Sequence, residues 1–251
     1  MPVALIIAWL LISIRATAFV LLLPGLTGTP IPVTMRMGLA FGMATLIVPL
    51  IPAVTKVPAD LLALGGAIGG EVALGLLMGF VGRMAFFATE MAGRIIATEI
   101  GLTATPGVES PTASNEPFAA FLYRFSVLLY FVVGGHLLAL GAFARSFRFV
   151  PPGLAGLNVA AGDQLIIATA KALTAAVQLA APYIAMNFLL TLAFGLLGRT
   201  VPKINVFVLS LGARSMVGML MLGSAGALFA RFLLARFNEL PGDLLRQLPL
   251  R

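Results

Sequence analysis

Long apolar runs occupy most of this 251-residue chain. Polar or Gly/Pro-rich stretches divide them into six segments: residues 3–23, 35–54, 61–103, 118–144, 165–197 and 204–235. Each reaches the length of about 20 residues that a helix needs to cross the hydrocarbon core of a bilayer. A helix satisfies its backbone hydrogen bonds internally, as that core requires. The runs therefore predict an all-α, polytopic-like hydrophobic protein with about six apolar segments.

The composition agrees with a membrane protein, because 60% of the residues are apolar and only 10% are charged. The first apolar run has no basic residue before it and no small-residue cleavage site after it, and Arg15 interrupts it. We therefore expect the run to remain in the mature protein as a membrane helix and not to be removed as a signal peptide. Membrane lipid is thus an expected partner.

Several kinds of chemistry lack the residues that they need. The chain has no cysteine and a single histidine, His136, which excludes Cys-ligated metals and a histidine cluster for zinc. The nine acidic residues form no converging set of acid, base or metal ligands in the sequence. The net charge of +7 arises from singly scattered basic residues without interleaved aromatics, which is not typical of a nucleic-acid patch. We expect no catalytic residue, no metal site, no cofactor and no nucleic-acid partner.

The third run is too long for an ordinary membrane span. At about 1.5 Å per residue, some 40 helical residues would reach about twice the thickness of a bilayer core. Such a helix must break, bend back or stand well outside the lipid. Charged side chains along it should face protein or water, either in contacts with neighbouring subunits or in pairs within the chain. They are Glu71, Arg83, Glu90, Arg94 and Glu99, of which Glu90 and Arg94 are four residues apart and can meet on one helix face.

Glycines recur at a spacing of four within the second and third runs. Such small-residue pairs allow the backbones of neighbouring helices to approach closely. We therefore predict close helix packing at these positions, which are Gly38, Gly42, Gly65, Gly66, Gly69, Gly70, Gly75 and Gly79.

A polar, Gly/Pro-broken stretch separates the third apolar run from the fourth. Irregular polar backbone persists at membrane depth only where protein or a water-filled cavity satisfies its hydrogen bonds. The alternative is an ordinary solvent-exposed connection between helices. We place the candidate functional loop at residues 103–117, with Thr103, Thr105, Pro106, Gly107, Val108, Glu109, Ser110, Pro111, Ser114 and Asn115 as its candidate residues.

Two motifs occur in series in the second half of the chain. The first runs from Gly134-Gly-His-Leu-Leu138 through Ser146-Phe147 to Pro151-Pro-Gly153, and the second is Gly195-Leu-Leu-Gly-Arg-Thr-Val-Pro-Lys-Ile-Asn-Val-Phe207. Together they resemble the family of the flagellar biosynthetic protein FliR. Arg15 in the first helix and Pro24 after it are also similar, so the resemblance covers nearly the whole chain. The positions that match the family motifs are Gly135, His136, Ser146, Pro151, Gly153, Arg199, Pro202, Asn205 and Phe207.

The resemblance implies a core component of the flagellar type III protein export gate. In that family the protein assembles with FliP and FliQ, next to FlhB, in the inner membrane part of the flagellar basal body, and forms part of the conduit for unfolded flagellar subunits. The family also implies strongly bent helical hairpins, a single domain over residues 1–251, and an inward-pointing plug at the position of residues 103–117. The equivalent component of a virulence-type secretion system is the alternative, and a polytopic transporter or enzyme is a third.

Two motif positions have a structural and a functional interpretation. His136 is either a packed, hydrogen-bonded residue, which we favour, or a proton relay in a proton-coupled exporter. The segment from Arg199 to Phe207 predicts a helix end, a turn at Pro202 and a new helix that Asn205 caps. That turn is either a simple helical hairpin or a hairpin tip that fixes subunit register. The stretch Pro202-Lys-Ile-Asn-Val-Phe207 resembles the flagellar branch more closely than the virulence branch.

Overall fold

The computed structural model describes residues 2–23, 25, 31–51, 60–102, 117–155, 160–201, 203, 205–246 and 248. In these residues the chain is helical and contains no strand, which confirms the all-α prediction. A short 3-10 turn, Val48–Leu50, follows the second helix. The helices are α1 (Pro2–Leu22), α2 (Val33–Ile47), α3 (Leu61–Glu99), α4 (Pro117–Val132), α5 (Gly135–Phe149), α6 (Ala160–Thr200) and α7 (Val206–Leu245).

Five of the described segments are long and apolar enough to cross a membrane: α1, α2 with its 3-10 turn, α3, α6 and α7. A sixth is obtained if α4 and α5, which meet at a sharp bend, are counted as one broken span. The predicted number of about six apolar segments is therefore confirmed. All three of the longest helices exceed the length that a bilayer core requires.

Two of the predicted segments differ from the structure. The third run forms one uninterrupted helix of 39 residues, so the predicted alternatives in which it breaks or bends back are wrong. The fourth run is one apolar stretch in the sequence, and in the structure it divides into α4 and α5. The division falls at Gly134, whose φ of +78° is left-handed. Glycine adopts this conformation readily because it has no Cβ, so a helix can end there inside an apolar run.

The chain divides into two compact units. The first comprises Met1–Ala85, Tyr130–Ala170 and Arg236–Arg251, and the second comprises Phe86–Leu129 and Lys171–Ala235. Four helices, α3, α4, α6 and α7, continue from one unit into the other. The prediction of a single domain stays a prediction.

In the first unit, α1 and α3 approach each other closely. A Cβ at Gly75 would lie 2.5 Å from the carbonyl oxygen of Arg15, and one at Gly79 would lie 2.9 Å from that of Phe19. Gly70 approaches Ala155 in the same way. The predicted close packing is therefore confirmed at these three glycines. The other predicted glycines have no such neighbour within 4 Å in the described residues: Gly38, Gly42, Gly65, Gly66 and Gly69.

The second unit has its own apolar core. One buried cluster contains Ile96 of α3, Ile100 directly after α3, Leu122 of α4, Tyr183 of α6 and Phe229 of α7. The exposed fraction of these side chains is at most 5%. Four helices thus meet around one core, and this core fixes the end of α3 and the beginning of α4, the two helix ends between which the predicted loop lies.

Candidate functional site

A buried ion pair joins α1 to α3 in the first unit. Arg15 Nε lies 2.5 Å from Glu71 Oε2, and Arg15 Nη2 donates to Glu71 Oε1 at 3.0 Å. The exposed fraction of both side chains is 0%. The contact is bidentate, the geometry in which the planar guanidinium fits a carboxylate best. A charge in an apolar interior is costly unless it is paired and hydrogen-bonded, and here both partners come from predicted membrane segments.

Two residues of the first family motif complete the hydrogen bonding of this pair. Arg15 Nη1 donates to Ser146 Oγ at 3.2 Å, and the backbone N–H of Gly153 donates to Glu71 Oε1 at 2.8 Å. The carbonyl oxygen of Val150 accepts from Arg15 Nη2 at 3.1 Å. We call Arg15, Glu71, Ser146, Val150 and Gly153 the buried polar cluster. It connects α1, α3, the end of α5 and the turn that follows α5.

An aromatic ring and a glycine turn fix the geometry of the buried polar cluster. The guanidinium carbon of Arg15 lies 4.1 Å from the centroid of the Phe147 ring, which adds a cation–π contact. Gly153 has a φ of +84°, a left-handed conformation that presents its N–H to the carboxylate and that other residues rarely adopt. The motif positions Ser146 and Gly153 are therefore explained by contacts with the ion pair, whereas Pro151 lies exposed in the turn beside them.

Sequence reasoning missed the pairing of Arg15 with Glu71. It placed Glu71 among residues that contact neighbouring subunits or pair internally, and the structure gives it an internal partner. One signal was present in the sequence: each residue is an isolated charge inside an apolar run, and such charges are found with a partner of opposite sign. The number of acidic candidates in the long third run left the choice of partner open.

The predicted loop, residues 103–117, carries all ten of the candidate plug residues. Those ten positions lie outside the described residues, as does Pro202 of the second motif. The structure does describe the end of α3 that leads into the loop and the helix α4 that follows it. The plug assignment stays a prediction.

The end of α3 is tightly capped. The N–H of Leu102 donates to the carbonyl of Ala97 at 2.9 Å, and that of Gly101 donates to Thr98 at 3.1 Å. With Gly101 left-handed at a φ of +77°, this is a Schellman motif, which satisfies carbonyl groups that a helix end leaves free. The cap at Gly101 and Leu102 therefore sets the direction in which the chain leaves α3 towards the predicted loop.

Helix α7 packs against this capped end. Ser215 Oγ donates to the carbonyl oxygen of Ile100 at 3.0 Å. Gly218 lies so close to Ile100 that a Cβ on it would come within 2.2 Å of Ile100 Cγ2. Asn187 of α6 also donates to the carboxylate of Glu99 in the last turn of α3. Contacts from two helices thus hold the residues that precede the loop.

The remaining charged candidates lie on exposed or partly exposed surface. Arg94 Nη2 donates to Glu90 Oε1 at 2.9 Å, which confirms the predicted pairing of these two residues. The exposed fractions of their side chains are 55% and 38%. Arg83 is exposed and forms no ion pair with another described residue. These three residues are accessible to other proteins in the isolated chain, whereas Glu71 is not.

His136 packs against aromatic rings at the start of α5. Its ring centroid lies 5.1 Å from that of Phe131 and 6.3 Å from that of Tyr130. Its Nδ1 is buried and has no hydrogen-bond partner in the part of the chain that the structure describes. Gly135 permits this packing, because a Cβ there would lie 2.4 Å from the Tyr130 ring. His136 is thus packed among aromatic rings, and its predicted hydrogen bond is not observed among the described residues. The choice between a structural residue and a proton relay stays a prediction.

The second motif includes the end of α6 and the start of α7. Helix α6 ends at Thr200, directly after Arg199, and Asn205 is the N-cap of α7. Asn205 Oδ1 accepts from the N–H of Val208 at 3.4 Å, so the predicted cap is confirmed. Phe207 is largely exposed, with 69% of its surface accessible. A large apolar side chain in this position is available for contact with another protein or with lipid.

No group of three histidine, cysteine, aspartate or glutamate side chains in the described ranges is placed to hold a metal ion.

Comparison with known proteins gives consistent similarities. Residues 6–240 match the family described as bacterial export proteins, family 1. The chain is 29% identical over 232 residues to the flagellar biosynthetic protein FliR of Caulobacter vibrioides, with 92% of each chain covered. It is 31% identical over 225 residues to FliR of Bacillus subtilis, with 86% of this chain and 84% of the relative covered. It is also 30% identical over 198 residues to the Yop proteins translocation protein T of Yersinia pestis, with 76% and 74% covered.

Proposed function

Because the chain belongs to family 1 of the bacterial export proteins, the family of FliR, we propose that it is a core component of the flagellar type III export gate. In this role it forms part of the conduit through which unfolded flagellar subunits leave the cell. The observation that carries the proposal is the coverage of 92% of both chains in the comparison with a flagellar relative.

The equivalent role in a virulence-type secretion system is the second candidate. It is favoured by the similarity to the Yop proteins translocation protein T, which covers 76% of this chain. The flagellar relatives cover more of the sequence, 92% and 86% in the two comparisons above. The flagellar assignment is therefore the first choice, and the two share the same kind of transport.

We assign the closing element of the conduit to residues 103–117. A conduit for unfolded polypeptide must block ions at rest, and an element of short polar backbone has few buried contacts to lose when it moves aside. Support comes from the helix end before the loop, where Ser215 and Gly218 of α7 hold Ile100. A fixed helix end confines the movement to the loop itself.

The buried polar cluster has a structural part in this proposal. It holds the N-terminal helix against α3 and against the turn after α5, with both charges removed from solvent. The partners in the assembled gate are FliP and FliQ, with FlhB beside them, in the inner membrane at the flagellar basal body. The exposed side chains of Arg83, Glu90 and Arg94 are the candidates for contacts with them.

Deletion of the gene in its host tests the assignment. Hook and filament proteins should disappear from the culture supernatant and return when the intact gene is supplied. Normal secretion and motility after deletion would exclude the flagellar role. In that case secretion of virulence effectors in the same strain tests the second candidate.

A second experiment tests the closing element. Residues 105–115 are replaced by a glycine–serine segment of equal length, so that the span between α3 and α4 is kept. We expect the variant to assemble but to leak ions, measured as loss of membrane potential with a fluorescent dye. The matched control is Arg124→Gln, an exposed change on α4 that should leave permeability unchanged. A loop variant with normal permeability and normal export would contradict the assignment.

A further inference from the structure

A groove between α6 and α7 in the second unit has the dimensions and the chemistry of a ligand site. Its volume is about 480 Å³, within the range of small-molecule sites in proteins. The walls are mainly apolar, and the polar groups stand at a few defined positions. Residues that matter for its chemistry are Leu179, Pro182, Tyr183, Leu228, Phe229 and Arg231. We call this the α6–α7 groove.

Tyr183, which lines the α6–α7 groove, has a buried hydroxyl group that the described residues leave without a partner. Tyr183 is only 1% exposed, and its hydroxyl oxygen makes no hydrogen bond with another described residue. Its ring stacks on Phe229 with centroids 6.4 Å apart, which fixes its position. Buried polar groups in native proteins nearly always have a partner, because an unpartnered one keeps its full cost of desolvation. A ligand with an acceptor oxygen would supply that partner.

Pro182 adds a second polar group to the same region. Proline has no backbone N–H, so within α6 it cannot donate to the carbonyl of Gln178, one turn earlier. This carbonyl, on a residue that also lines the groove, therefore lacks the donor that an ordinary helix supplies at that position.

Arg231 supplies a positive charge. It is exposed, lines the groove, and forms no ion pair with any other residue in the described ranges. Leu228 lies one helical turn before it and is 60% exposed. The guanidinium group is suited to phosphate, and an apolar side chain one turn away is suited to a hydrocarbon chain. The two together match an amphipathic anion.

We propose that the α6–α7 groove binds an anionic phospholipid from the membrane. The lipid phosphate accepts hydrogen bonds from Arg231, an ester carbonyl oxygen accepts from the Tyr183 hydroxyl, and an acyl chain lies along Leu179 and Leu228. Both helices are long and apolar enough to cross a bilayer, and a phospholipid is the amphipathic anion that a membrane offers to such helices. Free inorganic phosphate shares the charge but would leave the apolar walls uncovered.

Binding to the full chain tests this proposal. The chain is expressed with the other export proteins of its host and purified in detergent, and lipid binding to it is measured by native mass spectrometry. The probes are dioctanoyl phosphatidylglycerol, dioctanoyl phosphatidylcholine and inorganic phosphate. We expect phosphatidylglycerol to bind at least about tenfold more tightly than phosphatidylcholine, which is the effect of one hydrogen bond to a charged group. Inorganic phosphate should not compete.

Three variants locate the site. Arg231→Gln should weaken phosphatidylglycerol binding about tenfold, and Tyr183→Phe should weaken binding of both lipids about threefold without lowering the melting temperature of the lipid-free protein. The matched control is Arg124→Gln, which removes an exposed arginine of the same unit that does not line the groove. It should leave both affinities unchanged.

Several results would overturn the proposal. Equal binding of the two lipids would mean that hydrophobicity acts without a specific site. An equal loss of affinity in Arg231→Gln and Arg124→Gln would mean that positive charge acts without a specific site. Competition by inorganic phosphate would identify an anion site that does not need the acyl chain. Capture of a protein segment in the groove by cross-linking from position 228 would assign it to a subunit contact. Lipid binding is measured on this chain whether or not other export proteins purify with it, so its failure is distinct from failure of the proposed export role.

Discussion

Removal of Glu71 should destabilise the protein more than almost any other single change. In Glu71→Ala the guanidinium of Arg15 would keep its place in an interior with 0% exposure but lose its counter-charge. The N–H of Gly153 would lose its acceptor in the same change. Breaking a buried ion pair by removing one partner costs about 3–5 kcal/mol in free energy of unfolding. Native domains have only about 5–15 kcal/mol in total.

The corresponding fall in melting temperature can be measured on the full chain in detergent. For chains of about 150–250 residues, 1 kcal/mol corresponds to roughly 2–4 °C, so we expect a fall of about 6–20 °C. The assay is fluorescence-detected gel filtration after heating. Arg83→Met is the matched control, because this arginine is exposed and unpaired among the described residues, and it should change the melting temperature little.

A double mutant separates the charge effect from lost packing. Replacement of a buried ion pair by apolar residues of similar volume is often neutral or stabilising. Arg15→Met combined with Glu71→Leu should therefore recover most of the stability that Glu71→Ala loses. A melting temperature in Glu71→Ala equal to that of the unmodified chain would refute the reasoning. A double mutant no more stable than Glu71→Ala would refute it equally.

Further changes test packing, capping and surface charge. Gly75→Ala should lower the free energy of unfolding by about 1–3 kcal/mol, because its methyl group would meet the adjacent helix. Gly38→Ala has open space around it and should raise the free energy of unfolding by roughly 0.5–1 kcal/mol. Thermal unfolding should therefore show melting-temperature shifts of opposite sign for the two variants. Asn205→Ala should cost about 0.5–2 kcal/mol and Asn205→Ser much less, and equal losses would contradict a cap. Glu90→Lys should change stability by at most about 0.5 kcal/mol, since its ion pair is exposed. If Glu90 contacts a gate subunit, Glu90→Lys should no longer co-purify with that subunit. Unchanged co-purification would indicate that Glu90 only pairs within the chain.

The helical architecture could be predicted from sequence because it depends on local properties. Runs of apolar residues about 20 long require a helix in a bilayer, whatever the rest of the chain does. The cap at Asn205 and the pair of Glu90 with Arg94 are also local, since each joins residues three or four apart. The cap and the ion pair could be predicted because each depends only on residues within one helical turn.

The ends of the helices were less predictable where a single glycine decided them. Gly134 ends α4 inside an apolar run because a left-handed residue stops the helix without any polar signal. The third run, by contrast, contains several glycines and remains one helix of 39 residues. Both runs are apolar, so an apolar composition does not decide where a helix ends. The left-handed backbone of Gly134 decides it in the fourth run.

The sequence by itself determined a helical membrane protein of the FliR family, because long apolar runs and the motif residues are readable without coordinates. Only the tertiary structure decided that Arg15 pairs with Glu71, 56 positions away, and that Ser146 and Gly153 complete the pair. It likewise decided that Tyr183, Pro182 and Arg231 line one groove. The physical reason is that periodicity in the sequence specifies which face of a helix is apolar. The partner of a buried polar group depends instead on which helices pack together. Close contacts between helices, such as those of Gly75 and Gly79, determine that packing.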